Sequence, residues 1–314
     1  MHSWSLSRQL WVVGRATPIP EVVTPDSWAS IDQEMCDRFW HTYRSTLDSF
    51  DLFVVDHPVC LAACFEKFDR PVVAVATTRY ELGLTRDPER WRWLNWTLQA
   101  MHDRGQLLPL SNNRGDREYA REHLGFDWPT VPSLCEYPGA QYSGEDPRWL
   151  RVRLGRPPLP QPYSWADLAR CRGIYHVPYN CSQISVFEHY AAGIPLVFPT
   201  RERLLDLARR DVFGAMAQVS LRRVERLPPG EGLNDYTSRA TLARWVDLCD
   251  WYDEDWMPGI VTVDAEPDRV DLDGVDWRRA AGVIAAARPV RRDRILRAWR
   301  DVLARLEGQA TTAR

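Results

Sequence analysis

The sequence predicts an α/β protein of two domains, each built on a parallel sheet. Three observations carry that prediction. Short apolar runs alternate with helical stretches, as they do in βαβ units. Polar residues gather where the runs end, at Asp56–His57, Thr78–Glu81 and Ser111–Asn113, and in open α/β sheets such ends form the ligand crevice. The alternation then lapses over residues 138–163, where prolines crowd into 157–162 and exclude both helix and central strand. A boundary inside this stretch gives domains at 1–150 and 151–314.

In the first domain, QLWVVGR (9–15) reads as a weak opening strand. Residues 27–48 read as a helix, with Ile31, Met35, Phe39 and Trp40 at roughly helical spacing and Asp26 or Ser27 as its cap. FDLFVVDHP (50–58) is a strand ending on Asp56 and His57, followed by a helix at 59–68. RPVVAVATTRYE (70–81) is a buried strand running out into polar residues, and a Trp-rich helix spans 88–104. QLLPLSNN (106–113) is a third strand, a helix lies near 114–124, and TVPSLCEY (130–137) reads as a fourth strand.

The second domain resumes with a helix at 164–171 and the strand GIYHVPYN (173–180). NCSQISVFEHYAAGIP (180–195) has the outline of a capped amphipathic helix: Ser182 or Ser185 as N-cap, an apolar stripe of Ile184, Phe187 and Ala191, and Gly193 as the stop. The strand IPLVFP (194–199) follows, then a helix at 201–210, a polar loop near 228–236 with a helix after it, the strand GIVTVD (259–264) and one or two Arg-rich helices over 276–308.

Composition narrows the function. With 45% hydrophobic and 26% charged residues the chain falls in the globular range. A formal charge of −3 offers no basic footprint for nucleic acid or anionic membrane. Lys67 is the one lysine among 40 basic residues, an arginine bias that reads as a GC-rich coding sequence. Seven cysteines, an odd number lying mostly in apolar contexts, read as reduced buried thiols of a cytoplasmic protein. No apolar run has the length of a signal peptide or a membrane span.

Glu188 leads the candidate chemistry. A carboxylate one turn into a helix that faces the crevice can accept both hydroxyls of a ribose or sugar. Ser182, Ser185 and the first-turn amides can hold a phosphate, helped by the helix dipole. The plainer reading is a solvent-facing glutamate behind a serine cap. His57, beside Asp56 at a strand end, suits a general base because an imidazole titrates near neutrality; a histidine packed at the sheet's end is the alternative. Arg79 and Glu81 suit phosphate, carboxylate or hydroxyl groups, or else form an internal ion pair. His176 and His189 read as structural. DWYDEDW (250–256) lacks the glycine and distal glutamate of a calcium loop and reads as a polar loop or helix end. The tryptophans, Trp91, Trp93 and Trp96 among them, read mostly as core.

The segment EHYAAGIPLV (188–197) resembles the E-x-x-A-x-G-x-P-(apolar) signature in the C-terminal domain of GT-B-fold glycosyltransferases. The resemblance implies two Rossmann-like domains whose parallel sheets face across a cleft. It implies that Glu188 binds the ribose of a nucleotide-diphosphate sugar, with Gly193 and Pro195 turning the chain back into the sheet. Many retaining members carry a second glutamate eight positions earlier, where this chain has Asn180, so the retaining mechanism is not implied. The glycine-rich turn that many such enzymes place after their first strand is also not evident. The implied activity is glycosyl transfer in the cleft, without a bound metal or other cofactor, from a nucleotide-sugar co-substrate to an acceptor held near His57, Arg79 and Glu81. The alternatives are a sugar-nucleotide epimerase or hydrolase on the same fold, or a catalytically silent module that binds a glycan or a protein.

Overall fold

The computed structural model describes residues 22–23, 30–81, 87–137, 139–152, 163–217, 232–235 and 238–312. The chain is α/β, with two parallel sheets flanked by helices, and divides into two compact units, Met1–Thr130 and Val131–Arg314. The division falls earlier than the expected boundary at 150, which lies within a strand of the second sheet. The proline cluster at 157–162 and the expected first strand at 9–15 lie outside the described residues.

The first unit opens with α1 (Gln33–Leu47), capped by the Asp32 carboxylate on the Met35 amide at 2.9 Å. The expected caps, Asp26 and Ser27, lie outside the described residues. Strand β1 (Phe53–Val55) is shorter than its apolar run, and the segment expected as a helix at 59–68 is a 3₁₀ helix, Val59–Phe65, buried throughout. Strand β2 (Val72–Ala76) is central and buried at every position, which explains its unbroken Val/Ala run. Helix α2 (Pro88–Asp103) leads to β3 (Leu107–Ser111). Pro109 is tolerated in β3 because that strand is outermost in the three-stranded ladder and needs its amide on one side only. Asn113 caps α3 (Arg114–Leu124), which Gly125 closes at φ +77°. Trp96 departs from the expected core role, at 68% exposure, and Trp91 and Trp93 are only half-buried, their indoles donating to the Tyr80 hydroxyl and the Gln33 side-chain oxygen at 2.9 Å each.

The expected fourth strand over 130–137 does not form. Thr130 makes one parallel bridge with Ser111, Pro132 lacks an amide, and Cys135 turns into the left-handed region at φ +53°.

The second unit begins its sheet where a linker was expected. Strand β4 (Asp146–Val152) is an edge strand whose Arg151 guanidinium donates to the carbonyls of Pro267 and Val270 at 2.8 and 2.9 Å. After α4 (Trp165–Arg170), the sheet continues with β5 (Cys171–His176), then α5 (Ile184–Ala191), β6 (Leu196–Pro199), α6 (Arg201–Arg209), α7 (Arg239–Asp247) and β7 (Val261–Val263), in strand order β4-β5-β6-β7, all parallel. The Arg-rich C-terminal region forms one helix, α8 (Trp277–Thr312), which continues through Pro289. All seven cysteines are buried and none is in a disulfide. No helix among the described residues is long and apolar enough to cross a membrane.

Candidate functional site

In the first unit, the parallel register brings the polar strand ends to one edge, since Val55 pairs with Ala74 and Ala76 with Ser111. Beyond β1, the Asp56 carboxylate accepts the amide of its neighbour His57 at 2.7 Å, and His57 enters a cis peptide bond with Pro58. Asp56 therefore holds the backbone of His57 rather than its ring. The ring Nδ1 lies 3.5 Å from the Thr77 hydroxyl beyond β2. Burial lowers the His57 pKa, opposed by the Asp56 charge, so the imidazole is neutral at pH 7. Burial raises the Asp56 pKa, opposed by the same amide bond.

Arg79 and Glu81 meet each other as an ion pair at 3.6 Å, with Glu81 fully buried. The Arg79 guanidinium also lies 5.8 Å above the Tyr119 ring. Beyond β3, the Asn113 side-chain nitrogen donates to Asn112 and Asp116 at 2.7 and 2.6 Å, and its oxygen accepts the Asp116 amide at 2.9 Å. Asp116, which sequence patterning did not single out, is thus a buried carboxylate at this edge. Its only local signal was its place three residues after a capping asparagine.

In the second unit, α5 leaves the carboxyl end of β5 through Val177–Gln183 and returns by a tight turn to β6. The turn is a Schellman motif: Ile194 donates to the His189 carbonyl at 3.1 Å and Gly193 to that of Tyr190 at 2.9 Å. Gly193 has φ +82°, a conformation that a Cβ strains. The Pro195 carbonyl then accepts the Ile174 amide at 2.9 Å, locking the exit into the sheet.

The other end of α5 differs from expectation. Gln183 occupies the N-cap position and its side chain makes no capping bond. Its amide donates instead to the Ser185 hydroxyl at 2.7 Å, while Asn180 donates to the Ser182 hydroxyl at 2.8 Å. Both serines are engaged by neighbouring amides rather than capping the helix, so the serine cap is not formed. Asn180, Ser182 and Gln183 are all buried at this end.

Glu188, one turn into α5, is half-buried and accepts a hydrogen bond from the Tyr137 hydroxyl. Burial pushes its carboxyl up to about 7. Around it, α8 fastens the preceding segment: Arg291 donates to the Ser133 carbonyl at 3.0 Å, and Arg292 pairs with Glu136 at 3.1 Å. Arg291 also lies 5.7 Å from the centre of the Tyr190 ring, and burial works against its charge. Burial raises the Cys135 thiol to about 12; Glu188 adds to that rise and Arg291 opposes it, so both charges stand near this thiol. Tyr137 and Arg291 were not singled out from the sequence, because they reach α5 from segments 51 and roughly a hundred residues away.

Behind Glu188, His176 and His189 share a hydrogen bond of 3.1 Å in the core, where His176 stacks on Phe198 and Phe198 on Trp251. Burial holds both imidazoles neutral, His189 down to about 4. These two act in packing, as expected. Asp250 of the DWYDEDW segment is buried at the start of a 3₁₀ turn, Asp250–Tyr252. No family model, curated protein or solved structure matches the chain.

Proposed function

We propose that the chain is a GT-B-type glycosyltransferase whose second unit binds a nucleotide-diphosphate sugar, with Glu188 accepting the ribose hydroxyls. One observation carries this reading: Glu188 is a half-buried carboxyl whose hydrogen-bond partner, Tyr137, is itself a hydroxyl. A position that receives a phenolic O–H in a partly water-excluded setting suits a sugar O–H in the same role. Asn180, Ser182 and Ser185 border the start of α5 and supply amide and hydroxyl groups for the donor sugar or its phosphates, while Gly193 fixes the turn behind them.

In the first unit, His57 is the base for an acceptor hydroxyl. Its imidazole is neutral at pH 7 and can take up a proton, and Thr77 Oγ1, near its Nδ1, orients the ring. Asp56 serves by fixing the backbone at this residue. Arg79 serves acceptor binding, and the fully buried Glu81 holds its guanidinium in place, since separating them would leave a charge buried.

A second reading is favoured by the Glu188 pKa. A carboxyl near 7 is suited to proton transfer, which fits a sugar-nucleotide hydrolase or epimerase with Glu188 as the acid–base group. Formation of free sugar or epimer without an acceptor would select it.

Thermal unfolding with UDP, GDP, CDP, TDP and ADP and their sugars, on wild type and Glu188→Ala, tests the donor site. A ligand at about 100 times its dissociation constant should stabilise the wild type by about 2.7 kcal/mol, and the effect should vanish in the variant. A wild type that no nucleotide stabilises would leave the reading without a donor site.

A further inference from the structure

The segment Val131–Tyr137 makes two polar contacts that copy what a ligand would make. Its Tyr137 hydroxyl donates to Glu188, as a sugar hydroxyl would. Its Ser133 carbonyl accepts from Arg291 Nη2 at 3.0 Å, as a phosphate oxygen would. The guanidinium is only partly used: Arg291 Nε is buried with no hydrogen-bond partner among the described residues. A planar guanidinium fork that grips one carbonyl has room for a two-point contact with a phosphate.

The segment is also fastened loosely at its outer end. Glu136 and Tyr137 are exposed, and the Arg292–Glu136 pair lies at the surface, where such pairs contribute little. Cys135 holds φ +53°, which a non-glycine residue keeps only under external constraint.

We propose that Val131–Tyr137 is an internal stand-in for the ligand, and that a phosphorylated polyol binds by displacing it, hydroxyls to Glu188 and phosphate to Arg291. The inference rests on reading Glu188 as a hydroxyl-binding carboxylate. It adds that the ligand lies along the path from Glu188 to Arg291, and that Tyr137 competes with it.

Calorimetry with UDP, GDP, CDP, TDP and ADP, each against its nucleoside, on wild type, Tyr137→Phe, Arg291→Gln and Glu188→Ala tests both levels. Tyr137→Phe should bind the preferred diphosphate about tenfold tighter, because a hydrogen bond to a partly buried carboxyl no longer has to be broken. Arg291→Gln should lose the preference for diphosphate over nucleoside. Hydrogen exchange over residues 131–137 should rise when ligand binds the wild type, and in ligand-free Glu188→Ala. If Tyr137→Phe binds no tighter and exchange over 131–137 is unchanged by ligand, the stand-in is overturned while the donor site stands. If Glu188→Ala binds as well as wild type, or no diphosphate binds at all, the donor site itself fails and the stand-in falls with it.

Discussion

The two sheets handle buried charge in opposite ways. At the polar edge of the first, charges are tied into local bonds: Asn113 bridges Asn112 and Asp116, Arg79 faces Glu81, and Asp56 holds the next residue's amide. On α5 of the second unit, Glu188 meets a tyrosine hydroxyl, and among the described residues no cation pairs with it. A carboxylate that meets a cation or a backbone amide is fixed in place, even where burial raises its pKa as at Asp56. One that has only a hydroxyl is costly to ionise and available to change partners. The first arrangement stabilises; the second lowers stability wherever the carboxyl must ionise.

Four measurements sharpen or break that contrast. The largest effect lies in the core behind Glu188. The folded state refuses a proton on His189 down to about pH 4, whereas an unfolded histidine takes one near 6.5. His189 should therefore cost about 3 kcal/mol of stability as pH drops from 6.5 to 4, beside the share of its partner His176, and His189→Phe should reduce that slope in thermal melts. Next is Asn113→Ala, which removes the α3 cap and the bonds to Asn112 and Asp116. A loss of roughly 2 to 3 kcal/mol is expected in denaturant titration. A loss below about 0.5 kcal/mol would show that the first edge is not structural.

Glu188→Gln should act in the other direction. Because the folded carboxyl titrates at about 7 and the unfolded one near 4.5, the Glu188 contribution to stability is full below pH 4.5 and is lost as pH rises from there through 7. The neutral amide escapes that decline, so the variant should gain roughly 1 to 2 kcal/mol at pH 8 and almost nothing at pH 4. A variant less stable than wild type at both pH values would place Glu188 among the stabilising carboxylates. The smallest effect is Gly193→Ala, with about 1 kcal/mol lost to strain at φ +82° in thermal melts.

The sequence disclosed those parts of the fold whose burial is uniform. Strand β2 is apolar because it is central, and α3 announces itself through Asn113 and Gly125. Strand β4 was hidden because an edge strand needs no apolar run: DPRWLRV carries a proline and two arginines, and Arg151 is satisfied by distant carbonyls. Residues 130–137 misled in the reverse sense, being apolar enough for a strand yet broken by Pro132 and by Cys135. Of the candidate site, Glu188 and Gly193 were visible because helix and turn chemistry are local. Tyr137 and Arg291 were not, because nothing near them in the chain signals a contact made in three dimensions. The serine cap failed for a related reason: Asn180 and Gln183 compete for the same hydroxyls.

The burial of all seven cysteines gives the molecule a set of internal clocks. Cys36, Cys60 and Cys64 belong to the first unit, and Cys135, Cys171, Cys181 and Cys249 to the second. A thiol reagent added to the native protein finds no open target, so each residue is modified at the rate at which its own surroundings open. Peptide mapping of the modified sites then times the two units separately, without a probe being introduced. Cys135 lies between Tyr137 and the Ser133 carbonyl that Arg291 holds, so movement of that segment is one route by which its thiol is exposed.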